Sequence, residues 1–254
     1  MLWYKAFLDT RGRFLIGLAL LPCAAIFVVF TYPRVVELLP AAGGINASGA
    51  LGQQINEAIA LARDYRGYVW SQWFRQTTTS TSALFAALLG TGGLVASASG
   101  GALFMLSLPA TRMRLMAVRA GSGLAQWLAL ALVSSLAIPL SSPAVGESYS
   151  VIAALAHGLC LFAGGAMIYS LALLLSTVFG DLWRPWLITL AIAMPIAFAE
   201  QVAQASSAIG LSPVMSGEHF FRTGHLPWAG LAFAFATSAA LLYLAALNFE
   251  RRDF

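Results

Sequence analysis

His157 and Cys160 stand three residues apart in a long apolar run, so on a helix they share a face and could offer an imidazole nitrogen and a thiolate to a soft or borderline metal. The same pair also fits a histidine hydrogen-bonded to a neighbouring helix beside a cysteine acting as a small hydrophobe. Further on, His219 and His225 follow Met215 in a segment that could catch copper or haem, or could simply hold two solvated loop histidines. Glu200 is the one acid inside the apolar register of a run. An ionisable group there is costly in hydrocarbon, which marks Glu200, with His157, as a possible transport pathway unless the interface is near enough to solvate it. The only lysine, Lys5, follows no glycine-rich turn, so the chain has no P-loop, where backbone N–H groups and an ammonium together hold nucleotide phosphates. Paired carboxylates, Ser/His/Asp sets and zinc-protease spacings suited to intramembrane hydrolysis are not recognisable. The expectation is a chain that is not an enzyme by itself and carries no cofactor or metal of its own.

The elements that must hold these residues are membrane spans. The 254 residues are 59% hydrophobic and 9% charged, with a mean hydropathy of +0.80, too little polar material to cover a water-soluble globule. A net charge of +4 is compatible with a nucleic-acid partner, but the basic residues cluster at the ends of apolar runs, which is a topology signal and argues against a phosphate-binding face. Cys23 and Cys160 both fall inside apolar runs, so no disulfide framework is expected. Nor is a cleavable leader expected, because the first apolar run is long enough to span and lacks a small-x-small site.

Periodicity and breakers predict an all-α membrane protein with six spans, at about 14–32, 79–98, 120–141, 149–179, 185–203 and 227–247, forming one domain over 1–254. Ahead of the first span, Trp3, Lys5, Phe7, Arg11 and Arg13 belong to a predicted amphipathic interfacial helix. That span is expected to end at Tyr32-Pro33. Apolar residues recur at helical spacing over 51–73. This stripe reads either as a helix on the outer membrane surface, with Tyr65, Tyr68, Trp70 and Trp73 at headgroup depth, or as a helix packed on the chain's own spans. Residues 204–226, rich in glycine yet fairly apolar, suit a re-entrant pair of short helices. The short loops decide orientation. Lys5, Arg11, Arg13, Arg112, Arg114, Arg119, Arg184, Arg251 and Arg252 fall on one face together with both termini, which the positive-inside bias places in the cytosol of a cell membrane. Gly90, Gly92, Gly93, Gly164 and Gly165 supply surfaces for close helix contact, including contact with a second copy or a related subunit.

Between spans two and three lies a basic segment, residues 99–119, with Arg112, Arg114 and Arg119 and no acid. Pro109 can start a short helix there, with Thr111 and Arg112 in its first turn. The run Gly-Gly-Ala-Leu-Phe-Met-Leu-Ser-Leu-Pro-Ala-Thr-Arg-Met-Arg at 100–114 resembles a loop of ABC type-2 exporter permeases, Leu-Ser-Leu-Pro-x-Thr-Arg being the specific portion. The amphipathic start, the Tyr169-to-Ser176 run before a short turn and the Phe-Glu-Arg-Arg-Asp-Phe ending are similar too. Where members of that family place a Glu in the approach to the loop, this chain has Ala96, Ser97, Ala98 and Ser99.

The resemblance implies a half-transporter membrane subunit in a bacterial inner membrane, paired with a second permease and two nucleotide-binding ATPase subunits that carry ATP and magnesium. It implies that the loop is a cytosolic coupling helix, with Leu108, Pro109, Thr111, Arg112 and Arg114, joined by Asp181 and Arg184 of the second cytosolic turn, meeting the ATPase. The cargo would be an amphipathic or lipid-like compound, an antibiotic or a peptide, moved outward. A different class stays open, a non-transporting membrane binding or assembly factor that handles metal or haem through its histidines.

Overall fold

The computed structural model describes residues 2–42, 50–91, 111–202 and 209–251, and every regular element among them is helical. Helix α1 (Leu2–Ala42) runs unbroken. The interfacial helix and the first span are therefore one element, and Tyr32-Pro33 does not end it. A proline inside a helix removes one backbone bond and costs about 3 kcal/mol in water. The turn ahead of Pro33 also carries side-chain bonds, Thr31 Oγ1 to the Phe27 carbonyl at 2.7 Å and Tyr68 Oη to the Val28 carbonyl at 3.2 Å, while the carbonyl that Pro33 deprives of its helical donor is that of Val29.

The 51–73 stripe is two helices, α2 (Ala50–Arg63) and α3 (Tyr65–Val69), because Asp64 breaks it with an extended backbone and caps α3 by accepting from the Gly67 amide at 3.2 Å. From α3 the chain continues as a π-helix, Trp70–Thr77, and then as α4 (Thr78–Gly90). Tyr65, Tyr68, Trp70 and Trp73 are buried among Ala25, Val29, Ile138 and Ala154. Of the two readings for this stretch, packing against the chain's own helices is the one found. Helix α4 stops at Gly90, and residues 92–98 of the second predicted span lie outside the described residues.

Helix α5 (Arg112–Ser141) begins well ahead of residue 120, keeps Pro139 inside it and passes into a 3₁₀ turn, Ser142–Val145. Ser150 caps α6 (Val151–Val178), accepting from the Ala153 amide at 3.4 Å. Helix α7 (Trp183–Val202) follows, with Pro195 inside it. The predicted pair of short helices is present as α8 (Leu211–Ser216) and α9 (Glu218–Thr223), turning at Gly217 with φ 61°. Helix α10 (Trp228–Glu250) completes the described chain.

Among the described residues four helical stretches are long and apolar enough to cross a membrane, Leu2–Leu39, Met113–Val145, Val151–Val178 and Trp228–Glu250. With Phe27, Leu140, Ile152, Phe198 and Trp228 facing outward, the chain is an all-helical membrane protein whose exterior suits lipid. Helix α6 is its axis, packed on α4, α5, α8 and α10. Small residues let neighbours approach. Gly165 lies under the Trp127 ring, whose Nε1 donates to the Phe162 carbonyl at 3.2 Å.

Gly90 brings α4 backbone onto α6 backbone, since a Cβ there would sit 2.5 Å from the Tyr169 carbonyl oxygen and 2.7 Å from the Ala172 Cβ. Gly90→Ala should therefore cost about 1–3 kcal/mol through overpacking, read as a lower Tm of the detergent-solubilised protein. Gly12→Ala, with nothing within 4 Å of its Cβ position, should be neutral or stabilising by up to about 1 kcal/mol. Equal Tm shifts for the two variants would contradict this packing.

Candidate functional site

A helix that ends inside a membrane protein leaves its last carbonyls without partners and presents the negative end of its dipole. Helix α4 ends this way, and two arginines from different helices meet its end. Arg13 of α1 donates through Nη1 to the carbonyls of Leu88, at 2.9 Å, and Thr91, at 2.5 Å. Arg119 of α5 donates through Nη2 to the same Thr91 carbonyl at 3.4 Å while only 6% exposed. Tyr169 Oη of α6 donates to the Arg119 carbonyl at 3.3 Å, and Gln126 Nε2 donates to Thr10 Oγ1 at 2.8 Å, tying the same level of the bundle together. A hydrogen bond from a charged donor contributes about 1.5–3 kcal/mol, more than a neutral one.

This clasp lies at the last described residue before 92–110. The segment leaves at Thr91 and returns at Thr111, and Arg13 and Arg119 hold the point of departure. Leu108 and Pro109 lie outside the described residues. Thr111 is not in the first turn of a short helix, as its place after Pro109 suggested. It is the N-cap of α5 itself, extended at φ −64° and ψ 144°, its Oγ1 accepting from the Arg114 amide at 3.3 Å. Arg112 opens α5, and Arg114 is exposed in its first turn. Asp181, in the turn before α7, and Arg184, in the first turn of α7, form an exposed ion pair at 3.1 Å, worth about 0–1 kcal/mol.

The residues assigned to an interfacial helix divide by role. Trp3 and Phe7 are exposed, with Trp3 reaching Gly121 of α5 and Phe7 meeting Phe14 edge-on at 6.0 Å. Arg11 is exposed and Lys5 half-buried, whereas Arg13 turns inward to the clasp.

Glu200 caps a helix. Its carboxylate accepts from the amides of Leu211, at 3.0 Å, and Ser212, at 2.6 Å, opposite the positive end of α8. His157 is fully buried, stacked on Phe74 at 4.3 Å and met edge-on by Phe220 at 5.1 Å. Its Nδ1 faces Gly217, where a Cβ would come within 2.6 Å, and the ring leans toward the Ser216 backbone without reaching the geometry of a hydrogen bond. Cys160 is buried beside Val214, Leu231 and Ala234. His219 is half-buried on α9, His225 is exposed, and Met215 is buried against Gly164. Among the described residues no three His, Cys, Asp or Glu side chains come together so as to hold a metal ion.

The α8–α9 hairpin is fastened from outside this group as well. Trp70 stacks on Phe221 at 4.3 Å and donates through Nε1 to the Ser216 carbonyl at 3.1 Å, Arg66 lies over the Phe221 ring at 5.5 Å, and Arg222 pairs with Glu57 of α2 at 3.8 Å. Spacing alone pointed to neither the Trp70 contact nor the meeting of Arg13 with Arg119, because both join elements far apart in sequence. The signal the sequence did offer was Arg119 itself, a basic residue seven positions past the start of α5 and already within its apolar run.

Removing the cap of α8 should be measurable. Glu200→Ala leaves two amides unpaired and should cost about 0.5–2 kcal/mol, while Glu200→Gln keeps one acceptor and should cost less. Melting curves in detergent check this, and a Glu200→Ala protein as stable as the parent would remove Glu200 from the capping role.

Comparisons of the chain with family models, with characterised proteins and with solved structures gave no match. What can be said of function therefore comes from the residues and their placement.

Proposed function

We propose that the chain is the membrane subunit of an ABC type-2 exporter, one half of a transporter that moves an amphipathic or lipid-like compound, antibiotic or peptide outward on ATP hydrolysed by a separate subunit. The observation that carries this reading is the clasp at Thr91. The Leu-Ser-Leu-Pro-x-Thr-Arg segment hangs between Thr91 and the cap at Thr111, so a push on it would reach α1, α4 and α5 together through Arg13, Arg119 and the α5 N-terminus. Closure of an ATPase dimer against this segment would tilt those helices between inward-open and outward-open arrangements. Asp181 and Arg184 would form the second contact.

In this reading the continuous helical stretch 65–90 and helix α7 are spans two and five, which brings the total to six. Trp186 Nε1 of α7 donates to the Leu84 carbonyl of α4 at 3.4 Å, so the two would cross the membrane side by side. The termini and residues 92–110 face the cytosol of a bacterial inner membrane, and α2 with the α8–α9 hairpin faces outward. The lipid-facing exterior also gives a second permease, identical or related, a surface to meet. ATP and magnesium belong to the ATPase partner.

Tagged chain purified from its native membranes in mild detergent should bring down a P-loop ATPase, while the chain alone should hydrolyse no ATP. Arg114→Glu, on an exposed first turn, should leave insertion intact and cut ATPase recovery about tenfold, equivalent to about 1.4 kcal/mol. Undiminished recovery with Arg114→Glu, or no ATPase with the parent chain, would defeat the coupling role.

Orientation is tested separately in a Cys23→Ala background. An impermeant thiol reagent on intact cells should label Arg63→Cys and spare Ser107→Cys. The opposite pattern would invert the topology.

A further inference from the structure

The face of α4 that looks into the bundle carries polar atoms that the protein does not pair. Thr78 and Ser82 lie one turn apart on α4, both buried, and neither hydroxyl has a hydrogen-bond partner among the described residues. Trp73, in the π-helix just before, is buried with its indole N–H equally unpaired, packed near Ile138 of α5 and Ala154 of α6. Phe74, one turn ahead of Thr78, stacks on His157 and so sets this ridge against α6. On the α5 side, the unpaired Ser135 hydroxyl lies where Gly158 lets α5 and α6 approach, 3.2 Å from the Cβ position of that glycine.

The neighbouring hydroxyls behave differently. Thr77 donates to the Gln72 carbonyl at 2.7 Å, Thr79 to the Arg75 carbonyl at 3.0 Å and Thr81 to the Thr77 carbonyl at 2.7 Å. Bonding back to its own helix would silence a hydroxyl in the same way at Thr78 and Ser82, yet neither side chain does so. A buried donor left unmade is penalised individually, and three along one continuous helical stretch, at Trp73, Thr78 and Ser82, call for a partner that the described residues lack. A second observation falls on the same spot. The π-helix Trp70–Thr77 runs directly into Thr78, and π segments inside α-helices are frequently found at functional sites.

We propose that Trp73, Thr78, Ser82, Ser135 and His157 line a seam between α4, α5 and α6 that water enters, and that during transport receives the hydroxyl- or amide-bearing part of an amphipathic compound. The use in transport rests on the exporter reading. The hydration does not.

Single cysteines at Thr78, Ser82, Ala86 and Leu84, in a Cys23→Ala, Cys160→Ala background in membrane vesicles, test the seam with a small cationic methanethiosulfonate, which reacts with thiolate in water. Thr78→Cys and Ser82→Cys should react at least tenfold faster than Ala86→Cys, equally buried in the apolar core of the same helix, and than Leu84→Cys on its outer face. Rates at Thr78 and Ser82 no faster than at Ala86 would overturn the seam. Should a cysteine variant not fold, Thr78→Val and Ser82→Ala decide. In a dry bundle removing an unpaired hydroxyl raises Tm, whereas in a hydrated one Tm stays the same or falls, so a raised Tm for both refutes the proposal. Neither readout involves an ATPase. A dry seam would leave the exporter reading standing, and a labelled seam in a chain that binds no ATPase would leave the seam standing alone.

Discussion

Backbone groups at helix ends inside an apolar bundle have no water to turn to, and this chain meets that demand with side chains brought from other helices. The carbonyl end of α4 is held by Arg13 and Arg119, the amide end of α8 by Glu200, and the carbonyl of Ser216 by the Trp70 indole. Each solution joins elements distant in sequence, so satisfying a local backbone need also fixes the tertiary arrangement. The charged side chains that first look like chemistry, Glu200 above all, are largely occupied with it.

Around these ties the bundle is organised by approach distance. Lipid offers no hydrophobic drive between helices, so α6 must be held by packing and hydrogen bonds, and its glycines and alanines let neighbours come close enough for both. Gly165 admits the Trp127 ring, Gly164 admits Met215, and Gly90 of α4 meets α6 backbone to backbone. The same closeness makes the unpaired hydroxyls of Thr78 and Ser82 conspicuous, since in a bundle so well filled a polar atom without a partner is there at a cost.

Two levels of the molecule concentrate its polar contacts. At one, the clasp at Thr91 gathers α1, α4 and α5 where residues 92–110 begin. At the other, the π-helix, the His157 stack and the unpaired hydroxyls of α4 lie within the bundle. Helix α4 connects the two, with its carbonyl end in the clasp and its Thr78 end against the π-helix.

Composition and periodicity were enough to determine the class of this protein, because apolar runs of membrane length report the solvent they will meet whatever their partners. The extents of α6, α7 and α10 and the paired short helices at Gly217 were legible for the same reason, since glycine, proline and capping serine act locally. Tertiary structure alone decided the rest. Pro33 reads as a stop, yet α1 continues through it, with Tyr32 packed on Tyr65 and Tyr68 of the neighbouring helices. Tyr65, Tyr68, Trp70 and Trp73 have the composition of an interfacial belt, but burial is set by what packs over a face, and here that is protein. Arg13 reads as one basic residue among several on an amphipathic turn, and Glu200 as a lone acid in hydrocarbon. Their actual partners, the carbonyls of Leu88 and Thr91 and the amides of Leu211 and Ser212, are backbone atoms, and backbone atoms carry no residue identity that a sequence could display.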